Sequence, residues 1–183
     1  IARILNFFLV PLYTILFIPS EYAVVTEMYA YAALLMVIGS FGMETAFFRY
    51  INQYKNTNFT SVFSSAFLFL LINSLIIISF GCLFYKPIAS IIGYEHEPNY
   101  IIYFALIIGL DLLCVIPFAL LRQQNKAIKF AVVKTVNILI NIFFNLFFLL
   151  LLPYLIKQGT ILPMINPSNF SVSVEYVFLS NLI

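Results

Sequence analysis

Charge is what this chain most lacks. Only 9% of its 183 residues are ionisable Asp, Glu, Lys or Arg, against roughly a quarter in a soluble domain, and so few charges cannot build a water-facing shell. Tryptophan is absent, histidine occurs once and cysteine twice. Cys82 and Cys114 fall in separate apolar runs without CxxC spacing, so a metal or dithiol redox site is excluded and two inert, buried thiols are expected. His96 lies between Glu95 and Glu97 in a charged connection, where it reads as a solvated surface residue. No long basic run or nucleic-acid motif occurs, and the opening has neither the charged start nor the small-residue cleavage site of a signal peptide.

Apolar residues fill the chain instead. They make up 63% of it, and mean hydropathy is +1.06. They form long runs separated by short polar clusters, the pattern of an all-α, polytopic transmembrane helix bundle. Helices are predicted at residues 1–17, 22–50, 61–85, 99–121 and 127–152, with a partial sixth at 174–183. No soluble domain, repeat of short period or low-complexity linker is visible between them. Residue one is Ile, the first run is short for a crossing and the last run stops at Ile183, so a fragment of a longer protein is expected. Ile18-Pro19-Ser20-Glu21 is too tight a connection for anything but antiparallel neighbours. Gly39 and Gly42 allow the second helix a close contact or a bend. Ile88, Ile91 and Ile92 suggest a short amphipathic turn on the membrane surface.

Loop charges predict orientation. Lys55, with Arg49 at its edge, marks the connection at 52–60; Arg122, Lys126 and Lys129 mark the turn at 122–126, while the opposite side offers only Lys86 and Lys157. The excess of Lys and Arg places 52–60 and 122–126 in the cytoplasm.

Polar groups at membrane depth are the candidate functional residues. Asn137, Asn141 and Asn145 recur every four residues and share one face of the helix at 127–152. An amide without a partner is costly in hydrocarbon, so the stripe should look toward other helices or a wet cavity. A single Asn is explained as helix glue worth about 0.6–2 kcal/mol; three in register, continued by Lys134, suggest a cavity wall. Asp111 lies mid-helix, where an ionisable group costs roughly 2.5–3.5 kcal/mol and needs a partner or water. At 1.5 Å of rise per residue its depth differs from that of Lys134 by only ~4 Å. The two are therefore expected to approach, either as a structural tie or as part of a transport path. Glu44 and Arg49 are five apart, a poor spacing for a direct bridge. Arg49 can snorkel to the interface, which leaves Glu44 and Asp111 as candidate ion-coupling carboxylates. Arg49, Lys134 and the three asparagines are the candidate substrate-cavity residues.

Three segments carry a resemblance. Leu5-Asn6-Phe7-Phe8-Leu9-Val10-Pro11-Leu12-Tyr13-Thr14, with Pro19-Ser20-Glu21-Tyr22, resembles the opening of bacterial polysaccharide-export flippases of the Wzx type. These belong to the multidrug/oligosaccharidyl-lipid/polysaccharide exporter superfamily. Gly42-Met43-Glu44-Thr45-Ala46-Phe47-Phe48-Arg49-Tyr50 is similar to the second helix of a branch common in Bacteroidota-like bacteria. Leu121-Arg122-Gln123-Gln124-Asn125-Lys126-Ala127-Ile128-Lys129-Phe130 is similar to the cytoplasmic turn that enters helix five. The resemblance implies most of the N-terminal lobe of a two-lobed transporter in the bacterial inner membrane, working by alternating access. It also implies carriage of undecaprenyl-pyrophosphate-linked oligosaccharide for polysaccharide or O-antigen synthesis, with no enzymatic step and no cofactor. The implied partners are the bilayer, the lipid-linked oligosaccharide and a proton or sodium ion. The alternatives are a cation-coupled drug exporter of the same superfamily, or a membrane-embedded glycan polymerase or acyltransferase. The latter would need a catalytic His, Asp or Arg set that His96 alone does not provide.

Overall fold

The computed structural model describes residues 9–53, 59–157 and 174–182. Much of the predicted loop at 153–173, the centre of the 52–60 connection and the start of the first predicted helix lie outside them. All regular structure among the described residues is helical. Four stretches, Pro19–Gln53, Phe59–Leu83, Asn99–Gln123 and Ala127–Leu155, are long and apolar enough to cross a membrane. Large apolar side chains such as Val37, Leu83 and Ile128 stand exposed on them. In water such a surface would aggregate, and in a bilayer it meets acyl chains. This is a helical membrane protein.

The helices are α1 (Leu9–Leu16), α2 (Pro19–Ser40), α3 (Met43–Gln53), α4 (Phe59–Leu83), α5 (Tyr85–Ile92), α6 (Asn99–Gln123), α7 (Ala127–Leu146), α8 (Leu152–Lys157) and α9 (Glu175–Leu182). They fall into two compact units. One comprises Met28–Ala131, and the other Ile1–Glu27 with Val132–Ile183.

The unit of Met28–Ala131 is built on α4 and α6. Glycines let these helices approach closely: a Cβ added to Gly81 would meet the Cβ of Ala105 at 2.3 Å, and one added to Gly109 would meet Ile78 at 2.5 Å. Close backbone approach is how helices gain contact where lipid is as apolar as leucine. Leu70, Leu112, Ile116 and Ala119 are fully buried. The amphipathic turn predicted around Ile88 is α5, which buries Ala89 completely and leaves Ile91 exposed. It ends at Gly93, whose φ of 91° lets its N–H and that of Tyr94 return to carbonyls of the last turn. Cys82 and Cys114 correct the expectation of buried thiols: both are exposed. Where the outer surface meets lipid, an apolar thiol is as well placed on the exterior as in the core.

The second predicted helix, 22–50, is two helices. Phe41 and Gly42 take φ values of 48° and 65°, and this left-handed pair separates α2 from α3. A Phe in that region is disfavoured by Cβ sterics. The joint lies inside the unit, because a Cβ on Gly39 would come to about 3.0 Å from both Ile77 of α4 and Leu112, near the midpoint of α6. A helix end in hydrocarbon leaves carbonyls that no water can satisfy. Here the last turn of α2 is satisfied from three sources. Ser40 Oγ donates to Val37 O at 3.1 Å, Phe41 N to Ile38 O at 3.1 Å, and Asn73 Nδ2 of α4 to Gly39 O.

In the unit of 1–27 and 132–183, α2 opens with Pro19 in its first turn and Glu21 accepting a bond from Ile18 N at 3.2 Å, a local cap. On the other long helix, α7 passes into a π turn, Phe147–Leu151, before α8. Pro153 has no N–H to donate and its ring crowds the carbonyl of Leu149, so a widened turn just before it relieves the clash.

Candidate functional site

The polar stripe of α7 divides along its length. Asn145 is fully buried. Its Oδ1 accepts from Tyr13 Oη of α1 at 2.7 Å, and its Nδ2 donates to Asn141 O at 2.9 Å and Asn141 Oδ1 at 3.2 Å. Asn141 is half-buried and donates to Ser180 O at 3.2 Å and Asn181 Oδ1 at 2.6 Å, both on α9. Two of the three amides thus join α7 to α1 and α9. Asn137 and Lys134 are exposed on α7. Tyr13, Ser180 and Asn181 were invisible as members of this network in the sequence.

Asp111 stands exposed at the centre of α6, in the unit of Met28–Ala131, whereas Lys134 belongs to the other unit. Glu44 has a partner that its sequence neighbours did not suggest. Its Oε1 lies 2.7 Å from Arg122 Nη2, with the two side chains 37% and 41% exposed. The guanidinium also lies 5.9 Å from the Phe48 ring centre and 5.4 Å from that of Phe130, and its Nε donates to Phe118 O at 3.4 Å. Arg122 read in the sequence only as a loop charge that sets orientation.

The short helix α3 joins these parts. Glu44, Phe47, Phe48 and Ile51 recur at helical spacing and face the unit, with Phe47 packed among Ala66, Leu70, Ile116 and Ala119. The opposite face shows Thr45, Arg49 and Gln53, each exposed and four apart. They line a recess of ≈480 Å³ that also touches Gly42, Ala46 and Tyr50. Ala46 and Tyr50 line a second, mostly apolar recess of ≈740 Å³ between α3 and α4, which reaches Phe69, Ser61 and Ser65. A cation with hydroxyl and amide neighbours beside an apolar cleft is a surface suited to an amphiphile with an anionic, polar head. Arg49 was the only member of this face that the sequence singled out. The rest of it, Thr45 and Gln53, was legible as the i, i+4, i+8 series of an amphipathic helix once a break at Gly42 is allowed.

Comparison with protein-family models, with characterised proteins and with solved structures gives no match to the chain. Among the described residues no group of three or more His, Cys, Asp or Glu side chains is placed to hold a metal ion.

Proposed function

We propose that the chain is part of a transporter that moves lipid-linked oligosaccharide from the cytoplasmic to the outer leaflet of a bacterial inner membrane. The observation that carries this reading is the long apolar stretch Pro19–Gln53 broken at Phe41–Gly42, beyond which the short helix α3 turns Thr45, Arg49 and Gln53 outward on one face. Interrupted helices are tolerated at membrane depth where they line a cavity, and they recur at substrate sites of transporters. The three sequence segments that resemble Wzx-type flippases, one of which is α3 itself, point the same way.

A pyrophosphate-linked sugar needs a cation for its phosphates and amide or hydroxyl groups for its sugars, while its tail stays in an apolar environment. Arg49, Thr45 and Gln53 supply the first set, and the cleft between α3 and α4 supplies the second. A cation-coupled drug exporter would instead favour acidic groups on such a face. No bond of the substrate is made or broken, and the energy for uphill export comes from an ion gradient.

Flipping of a fluorescent lipid-linked oligosaccharide by the full-length protein in liposomes tests the proposal. A charge-assisted contact to phosphate is worth about 1.5–3 kcal/mol, so Arg49→Ala should slow flipping by about tenfold or more, with Arg49→Lys retaining part of the rate. Unchanged flipping in a Thr45→Ala, Arg49→Ala, Gln53→Ala triple variant would remove this face from the path.

A further inference from the structure

We infer that the Glu44–Arg122 ion pair is a clamp on the α2–α3 joint, holding α3 against α6 and governing whether the half-helix can shift. The inference concerns regulation of the face proposed above and rests on that reading for its biological meaning, although the motion itself does not.

The joint is built to bend. Phe41 and Gly42 are consecutive left-handed residues; nothing lies within 4 Å of where a Gly42 Cβ would stand, and the Phe41 ring meets Phe69 of α4 edge-on. The carbonyls of Val37, Ile38 and Gly39 find their partners in Ser40, Phe41 and Asn73, never in α3. The bond from Ala46 N to Gly42 O belongs to α3's own first turn. None of these three donors belongs to α3, so displacing α3 leaves those bonds in place, and the cost of motion falls on the contacts between α3 and the helices it covers.

Those contacts are of two kinds. Phe47 sits in the apolar cluster of Ala66, Leu70, Ile116 and Ala119, which is non-directional and tolerates small rotations. The Glu44–Arg122 pair is directional. Glu44 is in the first turn of α3, next to the joint, where the helix dipole favours its negative charge. Arg122 is held from behind by the Phe130 ring and the carbonyl of Phe118, and its guanidinium also lies over Phe48 of α3. With the arginine pre-positioned, Glu44 ties α3 to it by a polar contact of 2.7 Å, and both side chains are exposed enough for water or an anion to compete for it.

Ala66 is the reporter, because it is 5% exposed on α4 in the cluster that Phe47 fills. Ala89 under α5 is 0% exposed and serves as the control. In the full-length protein, with every native cysteine, Cys82 and Cys114 among them, replaced by Ala, a single cysteine is placed at Ala66 or at Ala89. The Ala66→Cys variant is reacted with a membrane-impermeant maleimide from the side bearing the α3–α4 connection, and the Ala89→Cys variant from the opposite side, where α5 follows the other end of α4. Exposed ion pairs are modest, so Glu44→Gln or Arg122→Gln should speed labelling of Ala66→Cys by about two- to fivefold. Ala89→Cys should stay unchanged, and the swapped Glu44→Arg, Arg122→Glu pair should return labelling of Ala66→Cys toward the parent rate. Equal acceleration at both positions would mean general loosening and overturn the clamp, as would parental labelling in the neutralised variants or a swap as fast as either single change. No lipid-linked substrate is present in this measurement. A clamp that fails here leaves the flipping assay to decide the transport reading, and the converse also holds.

Discussion

Asn73 and Asn145 are both amides deep in long apolar helices, yet they do different work. Asn145 lies in a long helical run; it pairs with the side chains of Tyr13 and Asn141 and also donates to the Asn141 carbonyl one turn back. Asn73 faces a helix that has been interrupted and gives its N–H to a main-chain oxygen, Gly39 O, that the interruption set free. The first amide fastens helices that would otherwise rely on close packing alone. The second makes a broken span tolerable in hydrocarbon. Where side chains satisfy one another, nothing polar is left over for a ligand; where one side chain caps a backbone break, the half-helix beyond the break is free to turn Thr45, Arg49 and Gln53 outward.

The largest effect should come from Asn73. Replacing it with Leu keeps the branched shape, in a somewhat larger side chain, but leaves the buried carbonyl of Gly39 without its donor, and an orphaned buried acceptor costs about 1–3 kcal/mol. The full-length protein unfolded by increasing SDS in mixed micelles should lose about 2 kcal/mol. A variant as stable as the parent would show that the break does not depend on the amide, and the contrast with Asn145 would lose its basis.

Asn145→Leu should come next, at about 1 kcal/mol, within the range measured for hydrogen bonds between membrane helices. Tyr13→Phe removes the same contact from the other side. If the pair is the unit, the double variant should be scarcely worse than Asn145→Leu alone, because the shared bond can be lost only once. Additive losses would mean that the two groups act independently.

How far these roles could be read in advance follows from the range of the interactions. The helices follow from local hydrophobic runs, so the predicted spans at 61–85 and 99–121 correspond closely to α4 and α6. Gly39 and Gly42 permit a bend, but a full break also takes Asn73, a residue of another helix, to donate to the freed carbonyl of Gly39. The bond between Tyr13 and Asn145 joins residues 132 apart, and no periodicity on α7 could select Tyr13. Arg122 was legible as a loop charge because its position at a helix end is local. Its role as Glu44's partner depends on how α3 packs against α6, which no short window of sequence contains.

The smallest expected change sharpens the comparison within the stripe itself. Asn137 shares a helix face with Asn141 and Asn145 but is exposed where Asn145 is sealed. Asn137→Ala should leave stability within about 0.5 kcal/mol of the parent, as is usual for an exposed position outside a network. If the exposed part of the stripe lies on the transport path, flipping should nevertheless fall severalfold, because a sugar hydroxyl loses an amide partner that the fold never needed. A stability loss matching that of Asn145→Leu would place all three amides in one structural role. Unchanged stability and unchanged flipping together would remove α7 from the path and leave α3 as the polar face on which the transport reading stands.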